Sequence, residues 1–167
     1  MAIRSNHYDA AFEQYLRGRR VPYVAVDEQR RALAADASLK SFDFLVSRPG
    51  GGSWLIDVKG RRFPTGGTGG GRWENWVTAE DVECLLKWET AFGTDARAAF
   101  AFAYDLADGE TADCESPFLW GGRRYAFFAV TAADYATAMT CRSESWATVN
   151  LPRADFARMR VPFAELL

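Results

Sequence analysis

Histidine and cysteine are scarce in this sequence, and neither is placed for a conventional metal centre. His7 is the single histidine among 167 residues, which excludes a histidine-rich transition-metal site and a Ser-His-Asp triad remote from His7. Three cysteines are present, and no CxxC motif joins any two of them. An odd number of widely spaced cysteines argues against a disulfide framework and against a structural zinc site.

Long apolar runs and a basic net charge are also missing. The apolar runs are far shorter than a bilayer-spanning stretch, and the N-terminus is polar, without an apolar signal core. We therefore expect a cytoplasmic protein with reduced thiols and no membrane partner. The formal net charge is -2, so a nucleic-acid partner would have to be bound by a local basic patch.

The composition and periodicity predict one α/β domain over residues 1–167. Hydrophobic residues make up 49% of the chain, which suffices for one core at this length. The elements follow the order α-β-β-β-α-β over a core at about 6–104, which predicts a mixed central sheet, with C-terminal additions at 105–167. The predicted helices cover about 6–17, 78–92, 131–139 and 154–159, and the predicted strands cover 21–26, 42–46, 54–58, 98–104, 124–130 and 146–150.

The first two helices carry residue-level signals. Asp9, Glu13 and Arg17 are spaced by four residues, so we expect them on one polar face of the first helix. Thr78 and Asp81 have the spacing of a capping box at the start of the second helix. The buried side of that helix is predicted to carry Val82, Leu85, Leu86 and Phe92.

Asp57 and Lys59 are the first candidate site residues. They are two apart in an otherwise apolar strand, so their side chains point to the same face. Charges there are costly unless they pair or bind a ligand. The chain uses arginine for most of its cations, and lysine occurs only at positions 40, 59 and 87. A partly exposed ion pair at a strand end is the other interpretation of these two residues.

Asp43 lies in the preceding predicted strand. A hairpin through the turn at 49–53 would place Asp43 beside Asp57, where two carboxylates repel unless one is protonated or a cation binds between them. Oxygen ligands without histidine favour Mg²⁺ or Mn²⁺. Glu13, on the first helix, is a fourth candidate. The alternative is that one of the two aspartates is a structural cap and the other a surface charge, and that Glu13 is a solvated residue on the helix surface.

Together the pattern of Glu13, Asp43 and the triplet 57–59 resembles the PD-(D/E)xK nuclease superfamily, and within it the archaeal Holliday junction resolvases. Members of that type place a glutamate on the first helix, an aspartate on the second strand and the (D/E)xK triplet on the third. This chain departs from the pattern in having Phe42 where the motif has proline, and aspartate where the triplet more commonly has glutamate.

A second likeness lies at the N-terminus. The stretch HYDAAFE at 7–13 is similar to the HYExAFE signature of an uncharacterised bacterial family, with Asp9 where the signature has glutamate. The likeness extends to SWATVNLPR near the C-terminus. This resemblance names a family without an established activity.

The first resemblance implies a restriction-endonuclease-like fold and a Mg²⁺- or Mn²⁺-dependent nuclease that hydrolyses phosphodiester bonds in DNA, or in RNA. Asp43, Asp57 and the backbone carbonyl of Val58 would hold the metal, and Glu13 would orient a water or a second ion. Lys59 would position the attacking water or stabilise the scissile phosphate. By analogy with resolvases, the chain would form a homodimer.

Several cations and aromatics are candidates for contacting nucleic acid. Alternatively, the cations are ordinary solvated surface charges and the aromatic side chains pack against the protein. The candidate phosphate contacts are Lys40, Arg61, Arg62 and Arg72, and Arg19 and Arg20 are additional candidates. Trp73 and Trp76 could stack on bases. His7 could carry a proton or contact phosphate, or could simply cap the first helix. The glycine-rich stretch 64–72 is either a flap or a tolerant surface loop.

Two other functions compete with a nuclease. A non-catalytic member of the same fold would bind nucleic acid or protein, and would have misaligned carboxylates or no metal binding. An interaction module would instead expose the aromatic residues of the C-terminal half. Those aromatics are Trp120, Tyr125, Phe127, Phe128 and Trp146.

Overall fold

The computed structural model describes residues 6–27, 32–34, 37–64, 71–107 and 116–167. The helices are α1 (His7–Gly18), α2 (Ala79–Phe92), α3 (Ala132–Ala138) and α4 (Arg153–Met159), and a 3-10 turn spans Phe163–Leu166. The strands are β1 (Tyr23–Ala25), β2 (Ala32–Ala34), β3 (Ala37–Leu39), β4 (Phe44–Ser47), β5 (Ser53–Phe63), β6 (Val77–Thr78), β7 (Ala96–Leu106), β8 (Phe118–Trp120), β9 (Arg123–Thr131), β10 (Thr140–Ser143), β11 (Thr148–Asn150) and β12 (Val161–Pro162). The predicted α-β-β-β-α-β core is confirmed as α1, β1, β4, β5, α2 and β7.

The main sheet is mixed, as predicted. Its order is β1-β4-β5-β7-β9-β12, with β8 added on β9. β5 and β7 pair in parallel over eleven residue pairs because α2 carries the chain back between them. The neighbouring pairs β4–β5 and β7–β9 are antiparallel. Two long central strands, β5 and β7, therefore form the middle of the sheet, and the candidate triplet 57–59 lies on one of them.

Each face of the sheet carries its own apolar cluster. On one face, Phe12 of α1 packs against Phe44 of β4 and against Phe127 and Phe163. Helices α2 and α3 cover the other face, where Phe100 of β7 is one of the buried side chains. The side chains of β5 alternate between the two, with Ile56 and Val58 towards α1 and Leu55 towards α2. In the described part of the chain, no helix is long and apolar enough to cross a membrane.

The sequence did not predict every element. The β2–β3 hairpin inserted before β4 was missed, as was the small sheet β10-β11-β6. The last predicted strand begins too early, since Trp146 lies in a turn and is 79% exposed. Phe92 is 46% exposed rather than on the buried side of α2, because it sits on the last turn of the helix. Residues 65–70 of the glycine-rich stretch lie outside the described residues.

The helix caps follow the sequence signals more closely. The Thr78 and Asp81 capping box is present, with the Asp81 backbone N–H donating to Thr78 Oγ1 at 3.1 Å and the Thr78 backbone N–H donating to Asp81 Oδ2 at 3.0 Å. Asn6 caps α1 by accepting from the Tyr8 backbone N–H. Asp9 is buried rather than on an exposed polar face, since α1 lies along the sheet at this turn.

Gly60 allows α1 to lie directly on β5. A β-carbon at this position would come within 3.0 Å of three atoms of the Tyr8 ring. We therefore expect Gly60→Ala to lower the free energy of unfolding by about 2 kcal/mol through overpacking. Urea denaturation measures the effect, and Gly18→Ala, where nothing lies within 4 Å, serves as a control with little change. Equal stabilities of the two variants would contradict the close helix–strand contact.

Candidate active site

Asp43 and Asp57 lie opposite each other where β4 begins. Phe44 pairs with Ile56 in the antiparallel ladder, so the register places Asp43 across from Asp57. The Asp43 backbone N–H donates to the Ile56 carbonyl at 2.9 Å. Asp43 Oδ2 accepts from the Val58 backbone N–H at 2.6 Å. Both aspartates are buried, at 5% and 7% exposure, so the expected adjacency of the two carboxylates agrees with the register.

The backbone of Val58 faces the same edge. In a strand, the N–H and C=O of one residue point to the same side, and the Val58 N–H points to Asp43. The carbonyl of Val58 therefore points to the side of β5 on which Asp43 lies, beyond the last β4–β5 pair. The register thus sets Asp43 across from Asp57, and the backbone of Val58 is turned towards Asp43.

Lys59 is held between two aspartates on the α2 face. Its Nζ lies 2.9 Å from Asp57 Oδ1 and 3.0 Å from Asp81 Oδ2. Lys40 also pairs with Asp81, through Oδ1. The four side chains form an alternating chain of charges, Lys40–Asp81–Lys59–Asp57, at the N-terminal end of α2.

Burial and mutual charge shift the pKa values of Asp57, Lys59 and Asp81. Burial raises the pKa of Asp57, and the nearby Asp81 carboxylate raises it further, against the attraction of Lys59. Burial opposes the charge on Lys59, yet the carboxylates of Asp57 and Asp81 raise its pKa above the usual range. Burial also opposes the charge on Asp81, but Lys59, Lys40 and the Thr78 N–H together lower its pKa to about 2. Lys59 is therefore a persistent ammonium at neutral pH.

Glu13 is held elsewhere. Tyr23 Oη donates to Glu13 Oε1 at 2.7 Å, and Arg17 donates to the same oxygen at 3.4 Å. Tyr23 belongs to β1 and packs on Phe44, on the α1 face of the sheet, whereas Lys59 reaches Asp81 on the α2 face. Among the described residues, no three histidine, cysteine, aspartate or glutamate side chains are positioned to share one cation. These contacts tie α1 to β1 and do not bring Glu13 to Asp43 and Asp57.

The predicted phosphate contacts separate into different environments. Lys40 pairs with Asp81 and is partly buried. Arg61 donates to the Gly60 and Trp76 carbonyls and stacks on the Trp76 ring with its guanidinium carbon 4.0 Å from the centroid. Arg62 and Arg72 are exposed and line two separate clefts. The four residues therefore do not form one continuous patch.

His7 lies at the start of α1, against Tyr125 of β9. Its Nδ1 and the Tyr125 hydroxyl are 2.9 Å apart. Burial lowers the pKa of His7, and the charge of Arg123 lowers it further, against Asp105. The imidazole is therefore neutral at pH 7, which favours a packing and hydrogen-bonding role at the helix start.

Two residues around the candidate site were not identified as such from the sequence. Asp81 was recognised only as a helix cap, and Tyr23 only as part of a strand. The capping-box spacing marks Asp81 as a helix cap, but it carries no signal for the contact with Lys59, 22 residues earlier. No local pattern marks Tyr23 as the partner of Glu13.

The low pKa of Asp81 predicts a specific acid sensitivity. Its folded-state pKa, about 2, lies below the unfolded value of about 3.9, so the stabilisation is complete above about pH 5 and is lost as pH falls towards 2. We expect wild type to lose about 2 kcal/mol more than Asp81→Asn over that range. Urea unfolding at several pH values measures this, with Asp134→Asn at the exposed cap of α3 as the control. If the free energy of unfolding changed with pH in the same way for wild type and Asp81→Asn, the ion pairs of Asp81 with Lys40 and Lys59 would be contradicted.

Comparison with known proteins identifies the fold. No protein-family model matches the chain, and no curated protein matches it, so the likeness to the HYExAFE family stays a prediction. A similar solved structure is that of Hjc from Archaeoglobus fulgidus, described as a Holliday junction resolvase from an archaeal hyperthermophile. The similarity covers 95% of this chain and 96% of that chain, with a TM-score of 0.55 and 16% sequence identity. The chain thus has the fold of this resolvase, and the predicted restriction-endonuclease-like architecture is confirmed.

Proposed function

We propose that this protein is a divalent-metal-dependent nuclease that hydrolyses phosphodiester bonds in DNA. The observation that carries the proposal is the β4–β5 register, which sets Asp43 across from Asp57, with the Val58 N–H bound to Asp43 and Lys59 paired with Asp57. The fold is shared with a protein described as a Holliday junction resolvase, which supports a nuclease over other hydrolases.

The donor set fits Mg²⁺ or Mn²⁺. Asp43, Asp57 and the Val58 carbonyl offer only oxygen atoms, which these cations prefer. The raised pKa of Asp57 reflects a buried carboxylate that a cation would stabilise. We propose these three groups as the metal ligands. A bound metal ion would lower the pKa of a coordinated water and stabilise negative charge on the phosphate.

Lys59 is assigned to charge stabilisation. Its ammonium is fixed between Asp57 and Asp81 and keeps its proton at neutral pH. It therefore cannot accept a proton from the attacking water, and we propose that it attracts the scissile phosphate instead. We propose Asp81 as a positioning residue, because its carboxylate pairs with Lys59 at 3.0 Å.

Glu13 is not included among the proposed metal ligands. Its contacts with Tyr23 and Arg17 favour a structural role between α1 and β1. Of the predicted nucleic-acid contacts, Arg62 and Arg72 are exposed, and we propose that they contact the phosphate backbone. The predicted homodimer would be measured by sedimentation of the purified protein.

A cleavage assay tests the proposal. Labelled four-way junction, duplex and single-stranded DNA, and a matching RNA, are incubated with the protein in Mg²⁺, in Mn²⁺ and in EDTA. We expect cleavage of DNA in either metal and none in EDTA. Absence of cleavage of every substrate in both metals would contradict a nuclease.

A second candidate is a non-catalytic nucleic-acid-binding protein of the same fold. It is favoured by the finding that, in the described part of the chain, no three histidine, cysteine, aspartate or glutamate side chains are placed to hold one metal ion. This candidate predicts DNA binding that is unchanged by EDTA, with no cleavage. The interaction-module alternative has less support, because Tyr125, Phe127 and Phe128 are all buried in the core.

A further inference from the structure

An arginine-rich cleft lies on the α2 face of the sheet, the face to which Lys59 also points. It has a volume of about 580 Å³ and lies between the segment 72–76 and residues of β10, β11 and α4. Its described lining includes four arginines and a single carboxylate. These are Arg72, Arg142, Arg153, Arg160 and Glu74. On a chain of net charge -2, this concentration of cations marks a local site for a polyanion.

Trp76 forms an aromatic wall of this cleft. The Arg142 guanidinium lies 5.2 Å from the ring centroid, and the Arg61 guanidinium lies 4.0 Å from it. The ring is half-buried and Arg142 is exposed. Unpaired bases stack on tryptophan rings and on arginine planes alike. The corner between Trp76 and Arg142 therefore offers a stacking surface beside positive charge.

The floor of the cleft is fixed by hydrogen bonds. Asn75 exchanges two with Leu151, its side-chain amide donating to the Leu151 carbonyl at 3.2 Å and its Oδ1 accepting from the Leu151 N–H at 2.8 Å. The Tyr135 hydroxyl donates to the Asn75 carbonyl, and the Tyr104 hydroxyl donates to the Glu74 carbonyl, both at 2.8 Å. The segment 72–76 is thus held in place before any ligand arrives, which lowers the entropic cost of binding.

Arg61 connects the cleft to β5, the strand that carries Asp57 and Lys59. Lys59 and Arg61 are two apart on β5 and share the α2 face, at a spacing of about 7 Å. Arg61 reaches the Trp76 carbonyl from that face. A strand that follows the cleft would therefore pass from Trp76 over Arg61 to Lys59.

We propose that this cleft binds a single-stranded segment of nucleic acid. Arg72, Arg142 and Arg153 contact its phosphates, and an unpaired base stacks in the corner formed by Trp76 and Arg142. A single strand is assigned because a base inside a duplex cannot present its face to Trp76. The proposal deepens the nuclease function and rests on it for the role of the strand, namely to lead the backbone to Lys59.

Binding is measured without cleavage, by fluorescence anisotropy of a labelled oligothymidylate of about 15 nucleotides in EDTA. We expect Arg142→Ala/Arg153→Ala to weaken binding at least tenfold and to reduce the slope of log affinity against log salt by about 1.4, at about 0.7 per phosphate contact. The matched control is Arg97→Ala/Arg158→Ala, which removes the same charge from exposed arginines that do not line the cleft.

A second variant separates stacking from charge. Trp76→Leu is expected to weaken binding about tenfold with an unchanged salt slope, because stacking releases no counterions. Circular dichroism checks that each variant is folded. The proposal is overturned if wild type binds no oligothymidylate, if a duplex of equal length binds as tightly, or if the control double variant loses as much affinity as the cleft double variant.

The outcomes also separate this proposal from the nuclease proposal. Tight binding in EDTA that depends on Arg142 and Arg153, without cleavage in any divalent metal, would support the cleft and overturn the nuclease. Metal-dependent cleavage with no effect of the cleft variants on binding would overturn the cleft alone.

Discussion

Replacing Lys59 with methionine is expected to lower the free energy of unfolding by about 3 kcal/mol at pH 7. The ammonium of Lys59 lies between the buried carboxylates of Asp57 and Asp81. Its removal leaves these two carboxylates facing each other, with Lys40 paired to Asp81. Methionine fills a similar volume, which separates the loss of charge from the opening of a cavity.

Urea denaturation of Lys59→Met and wild type measures this loss. The control is Lys87→Met. Lys87 is an exposed lysine paired with Glu83, and such a surface ion pair stabilises the fold by about 0.5 kcal/mol at most. The deficit of Lys59→Met should shrink as pH falls towards about 4, because the raised pKa of Asp57 allows it to take up a proton first. A deficit as small as that of Lys87→Met, or one independent of pH, would contradict the buried ion-pair chain.

The second large effect concerns catalysis. Asp57→Asn is expected to lower the rate of metal-dependent DNA cleavage at least 100-fold, because a neutral amide replaces one of the two proposed carboxylate ligands. The fold should survive, since Lys59 keeps Asp81 as its partner. Single-turnover cleavage in Mg²⁺ measures the rate.

Asp105→Asn is the matched control for that experiment. Asp105 is also a buried aspartate next to a cation, at 8% exposure and 2.5 Å from Arg123 Nη1, but it lies on β7 away from Asp43. Its replacement should change the cleavage rate by less than about threefold. Equal losses in the two variants would mean that Asp57 acts on stability and not on catalysis.

The pairing of Asp43 with Asp57 was accessible from the sequence because it depends on local rules. Strand alternation fixes the face of Asp57 and Lys59, and a short glycine-rich turn at 49–53 forces the two strands into an antiparallel register. Once those two rules are applied, few alternatives remain for the position of Asp43. The order of elements around this hairpin followed from the same periodicity.

The position of Glu13 was not accessible in the same way. Helical periodicity gives the polar side of α1, but it does not say which strand that side meets. In the structure the helix packs through Phe12 on Phe44, and Tyr23 of β1 takes the Glu13 carboxylate. The partner of Glu13 therefore depends on how α1 packs against the strands, and residue spacing in the sequence does not predict that packing.

The contacts of Asp81 and the arginine-rich cleft also depend on residues that are far apart in the sequence. Asp81 is 22 residues from Lys59, and its local capping signal is satisfied whether or not it meets that lysine. The cleft joins the segment 72–76 to β10, β11 and α4, which lie some 70 residues later. Sequence patterns identified Trp76 and Arg72 singly, while their common site depends on how the C-terminal additions fold back.

The most direct test of the proposed active site is a Mn²⁺ binding titration by calorimetry on purified wild type, Asp57→Asn, Asp43→Asn and Glu13→Gln. It requires no knowledge of the substrate. We expect saturable binding by wild type, loss of binding in both aspartate variants, and an affinity within about threefold of wild type for Glu13→Gln, because Glu13 is held by Tyr23 and Arg17. Binding that survives in Asp57→Asn, or no binding to wild type, would contradict a metal site at the edge of β5.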